Sequence, residues 1–397
     1  MRIAILSPLP PEQSGIADYA QAFCQALADA DTQVVTPMRG QVLSVEPEQL
    51  SRQMQSADWQ GIDLVHVELG GGRNGEYLAI QWLARHRPDL PVTATVHDPD
   101  RLIWKPAHLP GWTKWLPAIV YQALVLLLNP LTLANERRTA ARLAGLVTLT
   151  RVGGECLRER MRLPEDKVRI IAHGNARIAP VALPALPGSG PLKLLYFGFI
   201  YRGKGIEDLI DALAILAENQ PDSPARIELT LAGGTKPDVA FGHQGGYLDS
   251  LRQRLQERGL ARMSVQWRLD IATDEIPALI QTHHVMVLPY RESAKLAWLG
   301  RMRGTSGALS WAAACGRSVI ASDARAFAEE ISYGNGAVYP QGDCHALAKE
   351  IALLLASPDV LVRRSEAARK LGESREWSCI AAEFRQMFLR LAQRSTT

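Results

Sequence analysis

A chain of 397 residues is too long for one ordinary hydrophobic core, so the expectation is two domains. Hydrophobic residues at 47% and charged residues at 21% exclude a disordered chain, and a formal net charge of +3 removes any polyelectrolyte argument for nucleic-acid binding. Cys24, Cys156, Cys315, Cys344 and Cys379 are scattered, odd in number and without a Cys-x2-Cys pair, so neither a disulfide framework nor a zinc site is suggested and a reducing cytosol is the default.

The opening MRIAILSPLPP places one basic residue before a short apolar run that prolines interrupt. It reads as a buried strand entering a loop rather than as a signal peptide. That strand is Ile3-Ala4-Ile5-Leu6, and an amphipathic helix is expected from about Ile16 to Ala28. Further strands are expected at Gln33-Val34-Val35, Leu64-Val65-His66-Val67, Val92-Thr93-Ala94-Thr95-Val96, Leu146-Val147-Thr148-Leu149 and Val168-Arg169-Ile170-Ile171. The longest apolar run, Leu116 to Leu128, is shorter than the ~20 residues that span a bilayer. Proline, glycine and small residues from Pro180 to Pro191 mark a linker.

After the linker the pattern restarts. Leu194-Leu195-Tyr196-Phe197-Gly198 is an expected strand, Ile206 to Leu216 a helix, and later strands fall at Ile227 to Leu231, Val285 to Leu288 and Ser318 to Ala321. Short apolar runs alternating with longer helical patterns predict an α/β fold of two Rossmann-like, doubly wound domains facing one another across a cleft. The expected division is 1–180, a linker at 181–191, 192–375, and a C-terminal helix at 376–397 that crosses back to the first domain. Ligands of such folds bind at the C-terminal ends of the strands.

Three loops carry residue types suited to a phosphate-bearing ligand. Gln13-Ser14-Gly15 stands between a strand and a helix, where backbone N–H groups face an anion or merely form a turn and N-cap. Residues 198–205, GFIYRGKG, set Arg202 and Lys204 among glycines ahead of a helix; the alternative is a solvated basic turn. Arg303-Gly304-Thr305-Ser306-Gly307-Ala308 leads into a helix containing Ala312, Ala313 and Ala314, which Gly316 is placed to end.

The runs GFIYRGKGIEDLIDAL, LTLAGG, VMVLPY and SGALSWAAACGRSVIASD, in this order and spacing, resemble the C-terminal half of family 4 retaining glycosyltransferases (glycosyl transferases group 1) of the GT-B fold. His173-Gly174-Asn175 and the N-terminal PLPPEQSGIADYA fit the same family. The resemblance implies sugar transfer from a nucleotide-sugar donor with no metal or other cofactor. It assigns Lys204 to the donor diphosphate, with Arg202 standing in for an arginine that would align at Phe199. Gly304, Ser306 and Gly307, flanked by Arg303, Thr305 and Ala308, match the loop that holds the donor sugar and phosphates. Gly15 matches the glycine near the distal phosphate, Gly198 opens the Lys204 loop, His97 matches the active-site histidine, and Glu330 matches an acidic donor-side position.

One departure matters. The family's Glu-x7-Glu pair, which holds sugar hydroxyls and ribose, reads Arg303 and Trp311 in this sequence. Glu292 is the candidate replacement in the sugar pocket; Trp311 is either a nucleoside-stacking residue or simple core. On the acceptor side, Ser14, Gly71 and Arg73 are candidates, with His66 and Glu68 preceding a glycine-rich loop that shapes the acceptor pocket or is a plain surface turn. His283 and His284 read as structural, and Asp98 with Asp100 is set aside as a metal pair.

Residues from Trp104 to Leu133 combine three tryptophans, two lysines and dense aliphatics, followed by Arg137, Arg138 and Arg142. That composition fits either peripheral contact with a membrane, at the inner face of the cytoplasmic membrane, or a helix buried over the first sheet. The functional expectation is a retaining transferase moving sugar from a UDP- or GDP-sugar to a glycan or polyprenyl-linked acceptor in polysaccharide or glycoconjugate assembly. The rival is a catalytically degenerate scaffold for a partner transferase, and a phosphorylase or epimerase shares the fold.

Overall fold

The computed structural model describes residues 1–12, 14–39, 41–70, 72–107, 109, 111–235, 246–292, 300 and 303–395. These group into two compact units: residues 1–174, 300, 303–305 and 377–395 form the first, and the remaining described residues form the second.

The first unit alternates strands and helices: β1 (Arg2–Leu6), α1 (Gly15–Leu27), β2 (Gln33–Val35), α2 (Pro47–Ser56), β3 (Leu64–Leu69), α3 (Asn74–His86) and β4 (Val92–Val96). It continues with α4 (Ala118–Leu127), α5 (Asn129–Arg142), β5 (Gly145–Thr148), α6 (Arg151–Met161) and β6 (Val168–Ile170). The six strands form one parallel sheet in the order β2-β1-β3-β4-β5-β6. Every residue of β3 and β4 is buried, as expected for central strands covered on both faces.

The second unit contains β7 (Leu192–Phe197), α7 (Ile206–Asn219), β8 (Ile227–Gly233), α8 (Tyr247–Glu257), β9 (Ser264–Leu269), α9 (Ile276–Gln281) and β10 (Val285–Leu288). Then follow α10 (Gly307–Ala314), β11 (Ser318–Ser322), α11 (Phe327–Ile331), β12 (Gly336–Tyr339), α12 (Cys344–Ala356) and α13 (Pro358–Ser374). Its parallel sheet has the order β12-β11-β10-β7-β8-β9, the strand order of dinucleotide-binding Rossmann domains. The last helix, α14 (Trp377–Ser395), belongs to the first unit: Ile380, Phe384 and Phe388 bury against Tyr19, Phe23 and Leu27 of α1.

Two strands escape the sequence pattern. β9 and β12 are the edge strands of their sheet, and their residues are mostly half-exposed or exposed: β9 reads SVQWRL, with polar residues breaking the apolar run, and β12 is only the four residues GAVY. The division between units also falls earlier than the linker at 181–191, after Gly174. That stretch packs into the second unit, where the Arg317 guanidinium donates to the carbonyls of Val181 at 3.1 Å and Ala182 at 3.1 Å.

Each sheet has one point where the strand order reverses, between β1 and β3 in the first and between β7 and β10 in the second. Loops leaving adjacent strands there part to opposite faces, and the crevice between them is where open α/β sheets take ligands.

Candidate active site

At the first unit's switch point, the loops after β1 and β3 bring Glu12, Ser14 and Arg73 together. Ser14 caps α1, its Oγ accepting from the backbone N–H of Ala17 at 3.2 Å. Arg73 donates to Ser14 Oγ at 3.0 Å and to both carboxylate oxygens of Glu12. The Arg73 hydrogen bond holds the Glu12 carboxyl below its usual value against the opposing effect of burial. Arg73 is therefore a neutralised, oriented cation rather than a bare one. At Gly15, open space extends beyond the position a Cβ would take. Gly71 lies outside the described residues.

His97 stands just past β4, its Nε2 donating to Glu68 Oε2 at 2.8 Å. Glu68 is fully buried, and His66 Nε2 lies 3.3 Å from its other oxygen. The His66 ring is itself held by the hydroxyls of Thr93 at 2.8 Å and Thr95 at 2.9 Å. Burial pushes the Glu68 carboxyl up, but hydrogen bonds from His66 and His97 outweigh it and bring the pKa down to about 2. His66 and Glu68 thus lie fully buried on the strand that leads into the glycine-rich loop. They form the buried support of His97, because residues two apart on β3 point to the same face of the sheet and both faces are covered. Tyr19 meets the His97 ring edge-on at 4.8 Å and makes similar contacts with His173 and Trp377.

The stretch 303–305 packs in the same unit. A Cβ on Gly304 would sit 2.1 Å from the His97 carbonyl oxygen, so only glycine permits this approach. Arg303, which stands at the family's first glutamate position, has its Nε 3.4 Å from Asp100 Oδ1, and its carbonyl accepts from Thr150 Oγ1 at 3.4 Å.

In the second unit, the loops after β7 and β10 place Lys204 and Tyr290 side by side. Lys204 is buried, with Nζ 3.6 Å from the Tyr290 ring centroid and 5.1 Å from that of Tyr201. Among the described residues no carboxylate lies within ion-pair distance of it. Burial lowers its pKa to about 8, Tyr201 opposing and the Arg325 charge reinforcing the shift. Gly205 makes the turn possible: its φ is +67°, and a Cβ there would lie 1.6 Å from the Pro289 carbonyl oxygen. Gly198 opens the loop with its N–H on the Ala232 carbonyl at 3.1 Å. Arg202 is exposed, its guanidinium 5.3 Å from the Tyr247 ring centroid.

Tyr290 also links Lys204 to the third loop, its hydroxyl 3.4 Å from Ser306 Oγ. Ser306 caps α10 by accepting from Ala308 N at 3.4 Å, and Gly307 begins that helix. Glu292 Oε1 accepts from the backbone of Arg325 at 2.7 Å. Glu330 is buried in an ion pair, 2.6 Å from Arg375, and Trp311 packs against the second unit's core. Both are thereby committed within that unit, Trp311 following its core reading. His283 bonds Thr230 Oγ1 at 2.8 Å and His284 accepts from Lys193 N at 2.9 Å, as structural histidines do. No group of three or more His, Cys, Asp or Glu side chains forms a metal-holding set among the described residues.

The sequence reading missed Tyr19, Glu12 and Tyr290. Each occupies or adjoins a strand-end loop, but an aromatic or carboxylate near such a loop carries no distinguishing spacing.

Two doubly wound parallel sheets of these orders define a GT-B-fold protein. Solved structures share that fold: a sucrose-phosphate synthase from Thermosynechococcus elongatus (TM-score 0.67, 20% identity, 98% of both chains) and HepE of Anabaena in complex with UDP-glucose (TM-score 0.67, 16% identity, 98% of this chain and 100% of that one). Residues 191–357, most of which lie in the second unit, match the model of the family described as glycosyl transferases group 1. A D-inositol 3-phosphate glycosyltransferase from Streptomyces coelicolor is 27% identical over 212 residues, 53% of this chain. The match spans 42% of that relative's length.

Proposed function

We propose that the protein is a retaining glycosyltransferase that moves a sugar from a UDP- or GDP-sugar to a hydroxyl of a glycan or lipid-linked acceptor. The observation that carries this reading is Lys204, a buried cation at the switch point of the second sheet that has no carboxylate partner among the described residues. A buried charge of that kind needs a counter-ion, and a diphosphate is the anion a glycine-rich loop before a helix is shaped to receive. The family match covers this loop, and HepE, which shares the fold, is known in complex with UDP-glucose.

In this reading Lys204 and exposed Arg202 stabilise the departing diphosphate, where negative charge develops in the transition state. Ser306, Gly307 and Ala308 at the start of α10 hold the donor's phosphates and sugar, and Gly15 at the start of α1 serves the distal phosphate. His97, oriented by Glu68, contacts the sugar. Ser14 and Arg73 belong to the acceptor side. The leaving phosphate helps take the acceptor proton, so no metal and no protein base are needed.

The test is a thermal-shift screen against UDP, GDP, ADP and their common sugar conjugates, with transfer assayed in EDTA. Binding raises the melting temperature in proportion to RT ln(1 + [L]/Kd). A shift with one nucleotide, lost in Lys204→Met, together with EDTA-resistant transfer supports the reading. No shift with any nucleotide overturns it in favour of a non-catalytic scaffold.

A further inference from the structure

The most anomalous surface in the first unit is helix α4. Its ten residues, AIVYQALVLL, are almost wholly apolar, yet Val125 is the single buried one. Beside it Trp115 is 90% exposed, Ile119 81%, Leu127 77%, and Leu131 at the start of α5 69%; Trp112 is 61% exposed in the preceding turn. Isolated exposed apolar residues are ordinary, whereas two tryptophans and three aliphatics exposed along one segment, 112–131, mark a surface that something covers.

Helix α5, which carries Leu131 and the exposed arginines, is firmly anchored. Glu136 of α5 is fully buried, pairs with Arg101 at 2.6 Å, and accepts from the backbone N–H of Leu102 at 2.7 Å and of Ile103 at 3.1 Å. Thr139, one turn on, bonds the Tyr77 hydroxyl at 3.0 Å. The inward face of α5 is thus fixed to the core, which fixes what its outward face presents. No single helix among the described residues is long and apolar enough to cross a membrane, and α4 and α5 are bent by 53° at their junction.

Charge identifies the partner. Between Leu102 and Thr150 the sequence carries Lys105, Lys114, Arg137, Arg138 and Arg142 against a single carboxylate, Glu136, which is buried and already paired. Leu131, Arg138 and Arg142 are spaced by seven and four residues, so they share one face of α5, and all three are exposed. Lys105 is exposed as well, and its Nζ lies 5.6 Å from the Tyr121 ring centroid, next to the apolar helix. A protein partner, or a second copy, meets mixed charge at the rim of an interface. Exposed tryptophans and aliphatics in a segment whose exposed charges are cations match the headgroup region of an anionic bilayer.

We infer that the face made by 112–131 and the basic side of α5 docks the protein peripherally on an anionic lipid surface. The helices lie in the plane of the interface, with the tryptophans at headgroup depth and Arg138 and Arg142 against lipid phosphates. This inference is independent of the donor chemistry, since none of these residues belongs to the candidate active site.

The experiment is flotation of the purified full chain with vesicles of phosphatidylcholine alone or mixed with phosphatidylglycerol, at low and high salt. The expected result is binding to the anionic vesicles that weakens with salt. In Trp115→Ser/Ile119→Ser/Leu127→Ser, binding should fall more than about 10-fold, because burying even one such side chain at the interface is worth roughly that factor. Arg138→Glu/Arg142→Glu should abolish the preference for anionic lipid while leaving the apolar patch intact. Both sets lie on exposed positions, so melting temperatures should stay within a few degrees of the parent. Failure of the parent chain to float with either vesicle overturns the inference, as does unchanged flotation of the triple variant. A concentration-dependent dimer in light scattering, lost in the triple variant with no vesicle binding by the parent, also overturns it and assigns the face to a second copy.

Discussion

Glu68 Oε2 accepts the His97 Nε2 proton across 2.8 Å, joining a fully buried carboxylate on β3 to the histidine that ends β4. Because Glu68 keeps Nε2 protonated, Nδ1 is the ring nitrogen left to serve a ligand, and the tautomer is decided by the buried strand rather than by solvent.

Glu68→Gln tests this pairing. The folded-state value of about 2 lies below the ordinary glutamate value of ~4.3, so the carboxylate contributes stability that is present above pH ~4.3 and is lost as pH falls toward 2. Urea unfolding at pH 7 should show the variant destabilised by about 1–3 kcal/mol, and the difference should shrink through that acid window. Equal stability at pH 7 would mean the carboxylate carries no net interaction. Turnover should fall in kcat more than in KM, because His97 loses its orientation rather than its position.

Lys204 carries the opposite balance. Its folded-state value of about 8 lies below the ordinary lysine value of ~10.4, so in the unliganded protein the charged form is disfavoured by on the order of 3 kcal/mol. For a base with a depressed value, that cost is full below pH 8 and is relieved as pH rises from 8 toward 10.4, where the unfolded chain binds the extra proton. Lys204→Met should therefore unfold at the same or a higher temperature than the parent at pH 7 while losing its nucleotide-induced shift. A variant that melts lower and still responds to nucleotide would contradict the placement of this side chain. If Lys204 meets the diphosphate as proposed, nucleotide affinity of the parent should weaken above pH 8, as this cation loses its proton.

Much of the architecture was legible because central parallel strands are continuous apolar runs: Ile3 to Leu6 and Val285 to Leu288 announce themselves. The edge strands β9 and β12 were not, since polar residues interrupt SVQWRL in β9 and the GAVY of β12 is only four residues long. Lys204 and the Ser306 cap were legible from glycine spacing ahead of helices. The role of Glu68 was not. Its support of His97 depends on the register that sets Glu68 opposite Thr95 on β4, a pairing made across the sheet and invisible in either segment alone. Tyr290 was hidden for a like reason, its ring reaching Lys204 from the loop after β10, 86 positions away.

Gly205→Ala should be among the most damaging single changes in the second unit. The backbone φ of +67° disfavours any Cβ, and the Pro289 carbonyl oxygen occupies the space it would need at 1.6 Å. Since both are backbone constraints, no side-chain adjustment relieves them, and a loss of more than about 3 kcal/mol in denaturant unfolding is expected. A mild effect would show that the turn after Lys204 can be rebuilt.

Glu330 and Arg375 separate a structural carboxylate from a ligand-binding one. Burial raises the Glu330 pKa, and the Arg375 guanidinium 2.6 Å away opposes the rise without reversing it. Removing only the cation, in Arg375→Ala, strands a buried carboxylate and should cost about 3–5 kcal/mol near neutral pH. Because the folded-state value already lies above the ordinary one, the stranded group takes up a proton as pH falls, so the deficit in melting temperature should be smaller at pH 5 than at pH 7.5. Glu330→Gln should change melting temperature but retain the nucleotide-induced shift, as expected for a side chain whose partner is Arg375. Loss of that shift at unchanged melting temperature would return Glu330 to the donor site and make its pairing with Arg375 a resting arrangement that the ligand displaces.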